Sequence, residues 1–332
     1  MKLLFLVAGV ALMGLVIAQT EIGDVADLLI GIGPGFSLII AIYSVGFLGD
    51  ALAWQLSAVD IPVSWQWLSR FFFVRLAGES FNTITPAAGM GGEPVKAALM
   101  KSCYGVSYHE SATSQILSKT TNTISLVMFL AVGFVLILTS DKLSTRYQMI
   151  SGIGIALFTL GAVLFFVIQR YKVTSQAGAA LAKNALFLRI NDGLHHLIEV
   201  EDRLIHFYTE RPGRMSLTLA LGFLNWVVGI FEIQATMWLI SSPVGFADAW
   251  IIESLTQLVR AATFFIPASL GAQDGTFVVV ITAITGHPSM GLTVALARRI
   301  REIIWSLLGL VAFYRMKPAK DDEAKDGEIS AE

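Results

Sequence analysis

The sequence has few of the residues on which soluble enzymes and nucleic-acid-binding proteins depend. Charged residues make up only 14% of the 332 positions, and the formal net charge of −2 leaves no basic excess to attract nucleic acid. The single cysteine, Cys103, excludes an internal disulfide framework. The sequence has no P-loop or dinucleotide-binding fingerprint. We therefore predict no nucleic-acid partner, no cofactor, no metal and no catalytic residue.

Apolar residues are abundant instead. Hydrophobic side chains form 55% of the chain and the mean hydropathy is +0.68, values typical of membrane proteins. Apolar runs long enough to cross a bilayer as helices occupy the stretches 2–19, 30–53, 121–139, 149–169, 216–240 and 292–315. The first is either an uncleaved helix, which we favour, or a secretory signal peptide. The pattern predicts an all-α polytopic membrane protein.

Two further apolar zones, 67–100 and 250–286, are too interrupted by proline, glycine and acids to be simple spans. They share, in the same order, a Glu-Ser pair, a Pro-Ala pair, glycine and an acid. The shared residues are Glu79-Ser80, Pro86-Ala87, Gly91, Gly92 and Glu93 in the first zone, and Glu253-Ser254, Pro267-Ala268, Gly271 and Asp274 in the second. Irregular backbone at membrane depth is tolerated only inside protein or beside a wet cavity. The duplication therefore predicts two re-entrant, broken-helix hairpins from internal repeats.

The charges of the loops predict how the chain is oriented. The 20–29 loop is acidic and has no basic residue, whereas 170–215 carries seven lysines and arginines. Arg315 and Lys317 follow the last span. Because basic loops stay in the cytoplasm, both termini are predicted to be cytoplasmic. The first hairpin then enters from the cytoplasm and the second from outside, which is an inverted arrangement.

We assign residues 1–317 to one transmembrane domain. Within it, apolar residues recur at helical spacing between charged ones over 176–209, which predicts an amphipathic helix at the cytoplasmic membrane surface. The short, highly charged segment 318–332 is predicted to be a disordered cytoplasmic tail.

The first broken zone predicts a substrate-binding site. Pro86 removes a backbone donor, and Gly91 and Gly92 weaken the helix beside it. A helix can restart at Glu93, because an acid suits a helix N-terminus. The freed amides would form an anion-binding concavity beside Lys96. The simpler alternative is a kinked span that Glu93 caps at the interface.

Glu79 and Asn82 extend this site along the preceding helix. Glu79 heads its zone and could bind a counter-ion, a proton or backbone amides, and Asn82 could line the same polar path. Intramembrane asparagines also bond one helix to another.

The second zone contributes the matching half of the site. Arg260 precedes Pro267, which breaks the helix, and Gly271, Gln273 and Asp274 follow it. The predicted substrate-binding residues here are Arg260, Gln273 and Asp274.

Three arginines near the start of the last helix complete the set. Charges at the bilayer centre cost about 2.5–3.5 kcal/mol each, so Arg298, Arg299 and Arg301 facing lipid would cost on the order of 7–10 kcal/mol. Facing an interior cavity is cheaper, and guanidinium groups suit phosphate. The alternative is that Arg298 pairs with Glu302 on the same helix, while Arg299 lies at the outer interface.

The spacing between acid and base repeats in the two halves. Lys119 follows Glu93 by 26 residues, and the arginines at 298–301 follow Asp274 by 24 to 27. This match predicts one basic residue beside an acid in each half.

These motifs resemble those of a known family. Glu79-Ser80 with Asn82 and Pro86, followed by Gly91-Gly92-Glu93-Pro94-Val95-Lys96, resembles the first signature of the flippase-like family, which is also named for the lysylphosphatidylglycerol synthase transmembrane region. Leu270-Gly271-Ala272-Gln273-Asp274-Gly275 and the basic stretch from Arg298 to Glu302 resemble its second. The branch most similar is that of hopanoid-biosynthesis-associated membrane proteins.

The resemblance implies a bacterial inner-membrane protein whose relatives move lipids between leaflets. In some relatives an appended soluble domain aminoacylates the lipid; only a short tail follows residue 315 here, so that activity is expected to be absent. Asp274 stands where the signature has glutamate, and Ala87, Ala88 and Met90 depart from its commoner residues. These departures leave the identity of the lipid open.

We therefore predict a flippase that carries an anionic or polar-headed lipid, a phospholipid or a hopanoid. A membrane-embedded transferase with Glu93 or Asp274 as general base, and a scaffold for lipid-synthesis enzymes, are the alternatives. The partners considered are a membrane lipid, a second copy of the chain and lipid-biosynthesis enzymes.

Overall fold

The part of the chain that the computed structural model describes is helical. It comprises residues 22–84, 91–170, 209–264 and 266–316, together with residues 11, 14 and 207. These ranges hold no strand, and their α-helices are α1 (Ile22–Ile32), α2 (Phe36–Ser57), α3 (Trp65–Ile84), α4 (Gly92–Tyr104), α5 (Tyr108–Leu138), α6 (Thr145–Arg170), α7 (Pro212–Leu239), α8 (Phe246–Ala262), α9 (Ala272–Thr285) and α10 (Pro288–Arg315). The all-α prediction is confirmed.

Some predicted elements lie outside the described residues. They are the span 2–19 apart from residues 11 and 14, the amphipathic helix 176–209 apart from residues 207 and 209, the tail 318–332, and the helix breaker Pro86 with Ala87, Ala88 and Met90.

Several helices are long and apolar enough to cross a membrane. By length and composition these are Ile22–Ser57, Tyr108–Leu138, Thr145–Leu164 and Pro212–Leu239. They match four of the predicted spans, with one difference near the N-terminus. A 3₁₀ turn at Gly33–Gly35, where Gly33 has φ +45°, separates α1 from α2, so the predicted span 30–53 is not one uninterrupted helix. Helix α10 has the length of a span but carries three central arginines.

One face of α6 shows what surrounds the bundle. Met149, Ile153, Leu157, Leu160 and Leu164 recur at intervals of three and four residues, and each is more than half exposed. A stripe of this kind would form a large apolar patch in water, whereas lipid accommodates it without penalty. The chain is therefore a polytopic membrane protein.

Both interrupted zones fold as helical hairpins. Helix α3 packs against α4, and α8 packs against α9. The second break contains Ala268 (φ 51°), Ser269 (φ 47°) and Gly271 (φ 76°), a backbone that no α-helix can contain. The second arms α4 and α9 each end at a left-handed glycine, Gly105 and Gly286, which turns the chain directly into the next helix.

The hairpins belong to two units with the same order of elements. Unit 1 comprises α2 to α5 and unit 2 comprises α7 to α10; each is a long helix, a hairpin and a second long helix. Most packing partners correspond: α3 packs on α10 and α8 on α5, α2 on α5 and α7 on α10, and α2 packs on α7. The packing of α5 on α7 has no equally extensive counterpart between α2 and α10. This correspondence supports the two internal repeats predicted from the sequence.

The repeated Glu-Ser pairs mark where the units touch. The Ser80 hydroxyl donates to the Ser306 carbonyl (2.7 Å) and lies against Gly309 of α10, where a Cβ would collide with it. In the same way, a Cβ on Gly133 of α5 would collide with Ser254. Each serine therefore needs a glycine in the last helix of the other unit, a small-residue contact typical of membrane helices.

We expect Gly309→Ala to destabilise the protein. A Cβ there would overlap the Leu76 carbonyl oxygen, which is backbone and cannot rotate away, so the loss should be about 1–3 kcal/mol. The apparent melting temperature in detergent measures it. Gly49→Ala in α2 is the matched control, because nothing lies within 4 Å of its Cβ and alanine is the better helix former. Equal melting temperatures for both variants would contradict this packing.

Candidate functional site

A cavity of about 450 Å³ lies between the two units. This volume falls within the range of small-molecule sites. Its wall is rich in polar groups, and among the polar side chains that line it are Tyr43, Asp50, Arg75, Glu79, Asn82, Thr83, Asn122, Asn225, Glu232, Glu253, Gln257, Arg260, Arg298, Arg301, Glu302 and Ser306. They come from α2, α3, α5, α7, α8 and α10, whereas neither second hairpin arm, α4 or α9, contributes to the wall.

Arg298 is the centre of the buried charge network. Its Nη2 lies 2.8 Å from Glu253 Oε2, and its Nε lies 3.7 Å from Glu232 Oε1. Glu253 also accepts a hydrogen bond from Gln257 Nε2 (2.6 Å). All three charged side chains are at most 7% exposed. These contacts hold α10 against α7 and α8.

Arg301 makes the second buried contact to α7. Its Nη1 donates to Glu232 Oε2 (2.6 Å), and its guanidinium lies 3.7 Å from the centre of the Tyr43 ring. Its Nη2 lies 3.8 Å from Glu302 Oε1. Both Arg298 and Arg301 thus face the interior, which avoids the penalty of exposing arginine to lipid.

The alternative pairing for these arginines is wrong. Arg298 bonds with Glu253 rather than Glu302, because it points across to α8 instead of along its own helix. The side chain of Arg299 is only 12% exposed; it donates to Asp274 (3.0 and 2.9 Å) and to Glu302 (2.8 Å) instead of lying at the outer interface.

The repeated acids occupy equivalent places in the two units. Glu93 is in the first turn of α4 and lies 2.7 Å from Lys119 Nζ on α5. Asp274 is in the first turn of α9, accepts from the Gly271 N–H (2.9 Å) and pairs with Arg299 on α10. Each half therefore holds the acid–base pair that the spacing predicts. Each pair ties a second hairpin arm to the following helix.

The predicted concavity at the first break is occupied by protein groups. The Gly92 N–H donates to Asn82 Oδ1 (2.7 Å), and Gly91 is the residue that precedes α4. Lys96 is buried beside Gly78, where a Cβ would collide with it, and lies 3.2 Å from Glu93. In this structure the Gly92 amide therefore joins the two arms of the hairpin.

The predicted site residues divide into two groups. The residues that line the cavity are Glu79, Asn82, Arg260, Arg298 and Arg301. The residues that do not line it are Gly91, Gly92, Glu93, Lys96, Lys119, Gln273, Asp274 and Arg299. Two of the predicted helix breakers lie at the second break, where Pro267 begins a 3₁₀ turn and Gly271 directly precedes α9. Gln273 is 1% exposed, and its Oε1 has no partner among the described residues.

Reasoning from the sequence missed three charged residues of the wall. Arg75 pairs with Asp50 across α2 and α3, and Glu232 bridges the two arginines of α10. A signal was present, because Asp50 and Glu232 are isolated acids within long apolar runs, each seven residues before the end of its helix. An ionisable residue in such a run indicates a functional or buried site.

The comparisons with known proteins agree with this architecture. The family model described as the lysylphosphatidylglycerol synthase TM region matches residues 2–309. The chain belongs to this family. It is also similar to a UPF0104 membrane protein from Methanothermobacter thermautotrophicus, with 23% identity over 316 residues that cover 90% of both chains. No solved structure matches the chain.

The two acid–base pairs should differ in their contribution to stability. We expect Arg299→Gln to cost about 3–5 kcal/mol, because it leaves the buried Asp274 without its cation. Lys119→Gln should cost less than about 1 kcal/mol, because the Lys119 side chain is 50% exposed and Glu93 keeps Lys96. Apparent melting temperatures in detergent measure both. Equal losses would contradict the difference in burial.

Proposed function

We propose that this protein moves a polar-headed lipid, such as a phospholipid, between the leaflets of the bacterial inner membrane. The observation that carries the proposal is the charged cavity between two structurally equivalent units of an apolar bundle. Membership of a lipid-related membrane family supports it. The polar head group would occupy the cavity while the acyl chains stay in the bilayer.

The wall of the cavity is suited to a head group rather than to an apolar ligand. A head group that enters hydrocarbon loses the water molecules bound to it. In a passage lined by fixed charges and hydrogen-bonding groups, those groups take the place of the lost water. Four arginines line the wall, of which Arg260 forms no ion pair among the described residues, and guanidinium groups bind phosphate in a bidentate manner. Alternating access through inverted hairpins is the proposed route, with both termini in the cytoplasm.

The structure favours transport over transferase chemistry. The general bases considered for a transferase were Glu93 and Asp274. Neither lines the cavity, and each is held in an ion pair at a helix start. A base must reach the substrate proton, so these two acids are poorly placed for catalysis.

Purified protein reconstituted in liposomes should accelerate exchange of fluorescent phospholipids between leaflets. We expect Thr83→Trp to reduce this exchange to the protein-free rate, because Thr83 lines the cavity and the indole would occupy it. Thr83 is exposed, so the substitution should not disturb the buried core.

Leu157→Trp is the matched control for this experiment. It adds an indole to the exposed face of α6, away from the cavity, and should exchange lipid like the unmodified protein. If the unmodified protein accelerates the exchange of none of the lipids tested, whatever their head groups, the transport proposal is refuted. Equal exchange by both tryptophan variants would show that lipid does not pass through this cavity.

A further inference from the structure

We infer that the cavity takes a head group with one phosphate and one ammonium group and no net charge, with Glu79 binding the ammonium and Arg260 binding the phosphate. This inference rests on the proposed function and names the class of its substrate. It follows from the charges that the wall leaves without an ion-pair partner and from buried donors that have no acceptor.

The charges of the wall nearly cancel. Five acids and four arginines line it, and most of them pair with one another. Arg75 pairs with Asp50, Arg298 with Glu253 and Glu232, and Arg301 with Glu232 and Glu302. Paired charges are already satisfied, so they offer little net field to a ligand.

Glu79 and Arg260 are the exceptions. Among the described residues, neither forms an ion pair, although both line the cavity. Glu79 is half-buried and accepts only a 3.3 Å hydrogen bond from Asn82, and the nearby cations Lys96 and Arg75 pair with other acids. Arg260 is exposed at the end of α8; it attracts Glu302 without forming an ion pair with it, and Glu302 pairs with Arg299 and Arg301. One carboxylate and one guanidinium thus remain available to a ligand.

Buried donors in the same wall point to an anionic oxygen as well. Arg75 Nε, Trp226 Nε1, Arg301 Nε and Trp305 Nε1 are buried, and none has an acceptor among the described residues. Arg301 and Trp305 are only 4% and 6% exposed. An indole N–H can only donate, so an acceptor in the cavity would satisfy such groups. Asn122 Oδ1, in the same wall, is a buried acceptor that has no donor among the described residues, and an ammonium group would satisfy it. Phosphate oxygens supply several acceptors at once.

The head groups of other lipids satisfy the wall less well. A purely anionic head group would bring a phosphate to Arg260 but leave Glu79 without a cation. An uncharged head group would leave both residues without an ion pair. A phosphate ester with a primary ammonium satisfies both, and the ammonium can also donate three hydrogen bonds to Glu79 and its neighbours.

The two residues belong to different units. Glu79 lies on α3 of unit 1 and Arg260 on α8 of unit 2, each on the first arm of its hairpin. A head group that binds both would bridge the units. Its affinity would therefore depend on how the units are placed relative to each other, as a transported ligand requires.

Leaflet exchange in proteoliposomes tests this assignment with three fluorescent lipids: phosphatidylethanolamine, phosphatidylcholine and phosphatidylglycerol. We expect phosphatidylethanolamine to exchange fastest. Glu79→Gln should slow the exchange of phosphatidylethanolamine about tenfold or more, because it removes a charge-assisted hydrogen bond to the ammonium. The same substitution should change the exchange of phosphatidylglycerol little. Arg260→Gln should slow both, because both lipids carry the phosphate. Glu79→Asp should retain part of the preference.

Arg146→Gln, on the exposed start of α6, is the control and should leave all three rates unchanged. Each variant is first compared with the unmodified protein by its melting temperature in detergent. Equal exchange of all three lipids by the unmodified protein would overturn the inference while leaving transport intact. An equal effect of Glu79→Gln on all three lipids would overturn it too.

Soluble glycerophosphoethanolamine distinguishes a lipid from a free phosphoamine. It should compete with phosphatidylethanolamine exchange in the unmodified protein and fail to do so in Glu79→Gln. If it binds the protein but does not slow lipid exchange, the phosphoamine and the lipid do not share a site, and the assignment to a lipid head group in the cavity is overturned.

Discussion

The structure depends on the requirement that a charge inside an apolar bundle must have a partner. Arg298 meets it through Glu253 on α8 and Glu232 on α7, and Arg301 shares Glu232. Breaking a buried pair of this kind leaves an uncompensated charge, which is far more costly than losing a surface pair. Because α10 carries these arginines, the face that holds them cannot face lipid, and its place against α7 and α8 determines where the cavity lies, while Ile303 and Leu307 on the opposite face are exposed.

The hairpins divide two tasks between their arms. The first arms, α3 and α8, supply Glu79, Glu253 and Arg260 to the cavity. The second arms, α4 and α9, supply no side chain to it; their N-terminal acids bind Lys119 and Arg299 on the helix that follows. A helix start favours an acid through its dipole, so the break in each hairpin also creates the anchor that fixes it.

Much of this organisation could be predicted from the sequence, because breakers and charges are conspicuous in apolar runs. The repeated Glu-Ser and Pro-Ala pairs located both hairpins, and the spacing of Lys119 and the arginines predicted their acid partners. The sequence could not show that Glu93 and Asp274 act within hairpins rather than in the cavity, since the direction of a side chain depends on packing. Asp50 and Glu232 were missed because each stands alone, without a motif around it.

The contacts within and between the units differ in kind. The ion pairs around the cavity all join helices of the same unit: Asp50 to Arg75 in unit 1, and Glu232 and Glu253 to the arginines of α10 in unit 2. Between the units, small residues meet, as where Ser80 lies on Gly309 and Ser254 on Gly133. Larger groups meet there too: the Arg301 guanidinium lies 3.7 Å from the centre of the Tyr43 ring, and Trp250 Nε1 donates to the Phe129 carbonyl (3.1 Å). Separating a buried ion pair is costly, whereas none of these contacts between the units requires a charge to lose its partner. The ion pairs therefore hold each unit together internally, and a ligand held by one residue from each unit would depend on their relative position.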